Sequence, residues 1–202
     1  MLRGVILSRK TPAIILSGGA SSRLGQSKAM VRINDETLLA ITVKKLALSG
    51  CSPIVVVVNK TLQFDAVMNA NGASVVVNKN PETGRTGSFK VGINSVVSEL
   101  GRVPKSLIMA PIDRPGWRAS HIVKLCAQKT SSCLAERGQR GHPVLVAKQD
   151  LLNVMSASDD TPLKEIVGFD AVEITGGLLS LNIDTPEDLV TLEKYSQYFR
   201  EL

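Results

Sequence analysis

Aromatic side chains are scarce: one Trp, two Tyr and four Phe make up 3% of the 202 residues. Binders of single-stranded nucleic acid need aromatic platforms on which bases stack, so that class is disfavoured. The same shortage requires an aliphatic core of Val, Ile, Leu and Ala. Cysteine is also rare. Cys51, Cys126 and Cys133 are an odd number, no CxxC pair occurs, and His121 and His142 are the two histidines. This argues against a disulfide framework or a structural zinc site, and free thiols fit a reducing cytosol. No apolar stretch reaches the roughly 18 residues of a membrane span, and MLRGVILSRK holds too short an apolar run for a secretory signal. The expectation is a cytoplasmic protein with no membrane partner. Basic runs are missing too: the net charge is +6, yet no five basic residues are consecutive. Charge this diffuse does not make a nucleic-acid face. It does suit small substrates that carry several phosphates.

What is present is an ordinary soluble balance, with 44% hydrophobic and 21% charged residues, in a length that favours one domain. Apolar runs at Ala13–Leu16, Ile54–Val58, Ser74–Val77 and Leu107–Met109 are bounded by Gly, Pro or Asn, as buried parallel strands are. Between them lie helical patterns. Leu38, Leu39, Ile41, Thr42, Lys45, Leu46 and Leu48 form one, closed by Gly50, and Phe89–Leu100 forms another, closed by Gly101. Further strands are expected at Ser132–Glu136, Pro143–Ala147, Ala171–Ile174 and Ser180–Ile183. A last helix should run from Pro186 to about Arg200, with Thr185 as cap and Glu187 and Asp188 in its first turn. Strand–helix alternation implies a single α/β domain with a doubly wound, mostly parallel sheet.

The first strand runs into SGGASSRLGQSK, residues 17–28. Two adjacent glycines let a backbone turn sharply and approach a ligand closely. Small Ala20, Ser21 and Ser22 leave the amide groups unobstructed, and Arg23 and Lys28 add the cations that triphosphate oxygens require. Such a loop lies at the carboxyl end of a strand, where open α/β sheets bind ligands. A Walker A loop is ruled out, because Gln26 follows Gly25 where Lys is needed. Gly18-Gly19-Ala20 likewise fails the dinucleotide fingerprint, which disposes of a nicotinamide-dependent oxidoreductase.

Leu16, Gly19, Ser21, Arg23, Leu24, Gly25 and Lys28 fall in register on L-[AS]-[AG]-G-x-S-x-R-[ML]-G-x-x-K, so the loop resembles that of the MobA-like NTP transferase family. Ser17 and Gly18 depart mildly from the commonest residues there. The resemblance implies a Rossmann-like fold of the nucleotide-diphospho-sugar transferase type. It also implies that the backbone of Leu16, Ser17, Gly18, Gly19 and Ser21, with Lys28, holds the NTP phosphates while Arg23 neutralises charge near the bond being broken.

Other segments extend the resemblance. MAPIDRP, residues 109–115, resembles the family's PxDxP-like turn, which implies that Asp113 ligates Mg²⁺; Ile112 stands where Cys is usual. Asn182-Ile183-Asp184-Thr185-Pro186-Glu187-Asp188-Leu189 resembles the closing motif. Residues two apart on a strand share a face, so Asp184 or Asn182 could complete the metal site, with Asp184 preferred. Asn80 to Ser88 resembles a segment of molybdenum-cofactor cytidylyltransferases, in which Gly87 and Ser88 at a helix start could donate to the base or a phosphate. Gly141-His142-Pro143-Val144, preceded by Arg137 and Arg140, resembles the acceptor-side segment of the same subfamily. Arg140 and His142 are therefore expected to bind the acceptor phosphate. In this reading 11–115 is the NTP-binding half and 116–202 the acceptor-binding half.

The implied reaction is Mg²⁺-dependent transfer of NMP from CTP or GTP to a phosphorylated small molecule, molybdopterin foremost, with release of pyrophosphate. The catalytic residues would be Arg23, Lys28 and Asp113. A phosphate monoester is already a competent nucleophile near pH 7, which agrees with the lack of a Ser-His-Asp or Cys-His signature. Sugar phosphates, phospholactate and cobinamide phosphate remain open as acceptors. So do self-association and a role as a nucleotide-binding module without turnover.

Overall fold

Strand β1, Ala13–Ser17, is buried at all five positions, as a strand must be when it has neighbours on both edges and helices over both faces. The computed structural model describes residues 10–19 and 23–200. After β1 come a small antiparallel pair, β2 (Arg32–Ile33) and β3 (Glu36–Thr37), then α1 (Leu38–Leu48). Parallel units follow: β4 (Ile54–Val58), α2 (Gln63–Asn69), β5 (Ser74–Val77), α3 (Gly84–Leu100) and β6 (Ser106–Pro111). The remainder comprises α4 (Ala119–Cys126), β7 (Ser132–Glu136), β8 (Gln139–Ala147), α5 (Lys148–Ser156), α6 (Leu163–Ile166), β9 (Asp170–Glu173) and α7 (Pro186–Lys194).

The main sheet has the order β5-β4-β1-β6-β8-β7-β9, with β8 antiparallel to both neighbours and every other pair parallel. Side chains two apart on a strand share a face, and two cores result. Ala13, Ile15, Val56, Val58, Ile108 and Ala110 pack with Leu39, Leu46, Ile122 and Leu125 from α1 and α4. Ile14, Leu16, Val55, Val57, Leu107 and Met109 pack with Phe89, Ile93, Leu151 and Val154 from α3 and α5. Helices on both faces make this a doubly wound α/β domain. The core is aliphatic, as the shortage of aromatics demands; Phe89, Trp117 and Phe199 are the buried exceptions.

Close packing sets the position of α3. A Cβ at Gly92 would come within 2.7 Å of Ile14 Cγ2, so only glycine lets the helix lie this close to β1. The first turn of α3 thus comes to the carboxyl end of β1. No helix among the described residues is long and apolar enough to cross a membrane.

Three local expectations are corrected. The segment expected to be a strand at Ser180–Ile183 has Leu181 and Ile183 buried but joins no sheet. The Ile183 N–H instead donates to the Asp113 carbonyl (2.9 Å), and the Leu181 N–H closes a turn on Leu178 O (2.9 Å). The alternation reflects burial under the Asp113 turn, without a strand partner. Helix α3 begins at Gly84, ahead of the expected Phe89, so Gly87 and Ser88 lie inside it and not at its start. Two glycines mask the helical pattern there, while tertiary bonds hold the turn: Gly87 N–H to Asp159 O at 3.0 Å, and Thr86 Oγ1 to Thr161 O at 2.6 Å. The last helix stops at Lys194 and continues as a 3₁₀ turn, Ser196–Phe199. Its start is as expected, with Pro186 in the first turn and a reciprocal Thr185–Asp188 capping box.

Candidate active site

The strand order reverses at β1: the chain builds outward through β4 and β5, then returns through α3 to β6 on the other side. Ligands of open α/β sheets bind at such a switch point, beyond the strand ends. A cleft of about 380 Å³ opens there. Leu16, Ser17, Gly18 and Gly19 form its β1 side, Arg23 and Lys28 follow in the loop, and Asp113 stands beyond β6. Asp184 closes it from the far end of the chain. Ser88 also lines it; its hydroxyl accepts a bond from Asn78 Nδ2 (3.0 Å), which fixes its position. Gly87 is not at the cleft, and Gly84 takes the place expected of it. Ser21 lies outside the described residues.

Several bonds fix the Asp113 turn. The Ile112 N–H donates to Leu16 O (3.1 Å), tying the turn to β1. A Cβ on Gly116 would lie 1.9 Å from Leu178 O, and the Leu178 N–H donates to Gly116 O (2.7 Å). The chain leading to Asp184 is thereby clamped against the turn that carries Asp113. On the inner side, the buried Lys45 ammonium donates to the carbonyls of Pro115 (2.9 Å) and Trp117 (2.7 Å). The rings of Phe199 and Trp117 lie 4.8 and 5.0 Å from it. Burial, helped by Arg118, pushes the Lys45 pKa down to about 7, while the carbonyls and rings favour its charged form.

Within the cleft, cations and carboxylates are matched. Arg23 Nη2 lies 2.7 Å from Asp184 Oδ2; Lys28 bonds Asp184 Oδ1 and stands 3.8 Å from Asp113 Oδ2. The Lys28 bond is the main reason that Asp184 sits below the usual carboxylate range, with its partial burial opposing and Arg23 and Asn182 assisting. An ammonium bridging two carboxylates marks a place that favours positive charge. The donor chemistry fits Mg²⁺, which takes hard oxygens and typically uses one or two carboxylates, with substrate phosphates and water completing its shell. No cluster of three or more His, Cys, Asp or Glu side chains occurs among the described residues, so the phosphates would have to share the metal. Two buried oxygens lack a partner, Ser17 Oγ and Asn182 Oδ1. Ser17 lines the cleft; Asn182 does not, and its side chain helps to lower the Asp184 pKa.

A second cavity, about 330 Å³, adjoins the first. Arg140 and His142 are here, together with Arg85, Arg114 and Lys164, against apolar Val144, Leu163 and Phe169. Arg140 Nη1 donates to Phe169 O (2.9 Å). His142 Nδ1 is buried without a partner. Burial pushes the His142 pKa down to about 4, with Arg85 and Arg114 adding to the effect, so the imidazole is neutral at pH 7. Sequence reasoning passed over Arg85 and Arg114. Both sit inside motifs that had been read for their neighbours, NPETGRTGS for Gly87 and Ser88, and MAPIDRP for Asp113.

The sheet order, the glycine loop at the switch point and the carboxylate after β6 define a doubly wound α/β domain with a ligand cleft beyond its strand ends. The profile of the MobA-like NTP transferase domain matches residues 13–174, and the chain belongs to that family. It is a nucleotidyltransferase. The molybdenum cofactor cytidylyltransferase of Escherichia coli (strain K12) is 27% identical over 192 residues, 91% of this chain and 96% of that enzyme. The molybdenum cofactor guanylyltransferase of Xanthomonas euvesicatoria pv. vesicatoria (strain 85-10) is 27% identical over 133 residues, 66% of this chain and 62% of that enzyme. Among solved structures, Rv0371c of Mycobacterium tuberculosis H37Rv superposes with a TM-score of 0.76 at 19% identity, over 92% of this chain and 98% of its own. A complex of that protein with manganese superposes with a TM-score of 0.72 at 15% identity, over 92% and 98% of the two chains.

Proposed function

We propose that the protein transfers a nucleotidyl group, with Mg²⁺, from CTP or GTP to the phosphate of a molybdopterin-type acceptor in the cytoplasm, releasing pyrophosphate. The observation that carries this reading is the meeting of Arg23, Lys28, Asp113 and Asp184 in one cleft beside a cationic cavity. The choice of acceptor is supported by the relatives, which are both molybdenum cofactor nucleotidyltransferases. The cytidylyltransferase aligns over nearly its whole length and the guanylyltransferase over less, so CTP is the first donor to test.

The cleft residues act by positioning and by charge. The amides of the glycine loop and Lys28 hold the triphosphate. Arg23 stands where charge builds on the α-phosphate. Asp113 and Asp184 would hold Mg²⁺, which when bound neutralises phosphate oxygens and polarises the α-phosphate. Phosphates competing for Lys28 and Arg23 would release Asp184 from its ion pairs, leaving its carboxylate available to hold Mg²⁺. Arg140 and the neutral His142 orient the acceptor phosphate. No protein base is needed, because the nucleophile is already an anion.

Pyrophosphate release, measured with each of four NTPs and a panel of phosphorylated acceptors, tests the reading. Turnover is expected with molybdopterin-type cofactor and CTP or GTP, only when Mg²⁺ is added. Turnover confined to sugar phosphates, phospholactate or cobinamide phosphate would replace the acceptor. Full turnover in the presence of EDTA would remove the metal.

A further inference from the structure

Of the residues around the two cavities, Arg85 alone lines both. It sits in the first turn of α3, exposed, and its guanidinium makes no hydrogen bond or ion pair with any described residue. Its position contrasts with that of the other cleft cations. Arg23 and Lys28 are both engaged by Asp184, with Asp113 close to Lys28. The Arg85 charge is uncompensated, and it reaches across to the second cavity: after burial, it is the larger of the two charges, ahead of Arg114, that hold His142 below its usual range.

We propose that Arg85 is a catalytic residue that binds the α-phosphate of the nucleotide and the acceptor phosphate together. The inference rests on the transfer reading above and adds to it the group that lets two anions meet. In the reaction an oxygen of the acceptor phosphate forms a bond to the α-phosphorus. The bond from that phosphorus to the oxygen bridging to the β-phosphate breaks, and its electron pair leaves with pyrophosphate. No proton has to move when the acceptor is a dianion, so the obstacle is repulsion between two multiply charged phosphates. A planar guanidinium with five donors can take an oxygen from each at once. Lys28 and Arg23 line only the first cavity, and Arg140 lines the second without reaching the first. Fixed close to β1 by Gly92, the first turn of α3 holds Arg85 at the boundary.

The test uses the full chain and two probes: the α,β-methylene analogues of CTP and GTP with Mg²⁺, and inorganic phosphate added to the nucleotide-loaded protein. Binding is measured by calorimetry. Arg85→Met keeps the aliphatic stem and removes the charge, and Arg85→Lys keeps a charge but not the fork. Arg85→Met should weaken both probes about tenfold, the loss of one charge-assisted hydrogen bond to each, and Arg85→Lys should recover part of both. Lys28→Met should weaken the nucleotide alone, and Arg140→Met the phosphate alone. If Arg85→Met changes one probe or neither, Arg85 does not bridge the substrates, whatever else the enzyme does. Wild-type protein that binds nucleotide but no phosphate overturns the bridging role as well. Wild-type protein that binds neither nucleotide analogue overturns the transfer reading itself, and the role of Arg85 with it.

Discussion

Around the nucleotide cleft each loop cation has an acidic partner: Arg23 on Asp184, and Lys28 on Asp184 with Asp113 close by. Around the second cavity Arg85, Arg114, Arg140 and Lys164 are gathered, and among the described residues no carboxylate lines the wall. On the proposed function, the contrast follows from what each region would hold. A divalent cation with a polyphosphate needs both signs of charge, and the protein's own ion pairs keep Asp184 ionised. A lone phosphate needs positive charge only. A histidine buried among those cations is held neutral, first by its burial and further by repulsion from Arg85 and Arg114.

The contrast is tested first, and with the largest expected effect, at the carboxylates. Asp113→Asn keeps size and removes the charge; Mg²⁺-dependent turnover should fall about a thousandfold, since metal stabilisation of the transition state is worth several kcal/mol. The melting temperature should move little, because the bond from Ile183 goes to the Asp113 backbone carbonyl and survives. Undiminished turnover in Asp113→Asn and in Asp184→Asn would dissolve the distinction between the two regions.

Next come the paired cations. Arg23→Ala and Lys28→Ala should each cost about a hundredfold in kcat/KM, the scale of one donor lost from a developing charge. If Arg23 acts chiefly in the transition state, kcat falls in step with kcat/KM; a rise in KM alone assigns it to ground-state binding.

Smaller changes are expected in the second cavity. Arg140→Ala should raise the acceptor KM about tenfold, the value of one charge-assisted hydrogen bond, and leave calorimetric binding of Mg²⁺-nucleotide unchanged. His142→Ala should act in the same direction. His142→Gln, which supplies neutral donors of similar reach, should recover most of the loss, because the imidazole carries no charge at pH 7. Weakened nucleotide binding in these variants would merge the two regions into one pocket.

The smallest effect concerns pH. His142 titrates near 4 when folded and at 6.5 in its ordinary state. Between those values the unfolded chain binds a proton that the folded chain excludes, so stability falls as pH drops from about 6.5 to about 4. Asp184, shifted below its ordinary 3.8, contributes stability above that value and loses it only at lower pH. In thermal melts at pH 7, 6 and 5, wild type should lose a few degrees relative to His142→Gln. Parallel curves would mean that His142 is not held neutral.

Much of this could be read from local pattern. The β-branched runs became β1, β4, β5 and β6, and the alternation within them became the two cores. Thr185-Pro186 with Asp188 became a capped helix start. Ser17, Gly18, Gly19, Arg23, Ser27 and Lys28 became one wall of the cleft. Other features could not be read. Lys45 fell on the apolar stripe of α1, and nothing local announced that carbonyls from Pro115 and Trp117 would receive its ammonium. Gly87 looked like a helix start until bonds from Asp159 and Thr161 showed where the turn lies.

The sequence by itself determined the strands at the centre of the sheet, the capped start of the last helix, and the chemical kinds of group at the sheet edge. Those depend on interactions between residues a few positions apart: backbone sterics, caps and side-chain periodicity. Only the tertiary structure decided which groups meet. Arg23 and Asp184 are 161 positions apart, yet they lie in hydrogen-bonding contact. That contact exists because α3 crosses back over the sheet, β6 takes its place beside β1, and the segment before Asp184 is clamped to the turn after β6. The boundary position of Arg85 has the same origin, since the register of α3 on β1 is set by glycine packed against isoleucine.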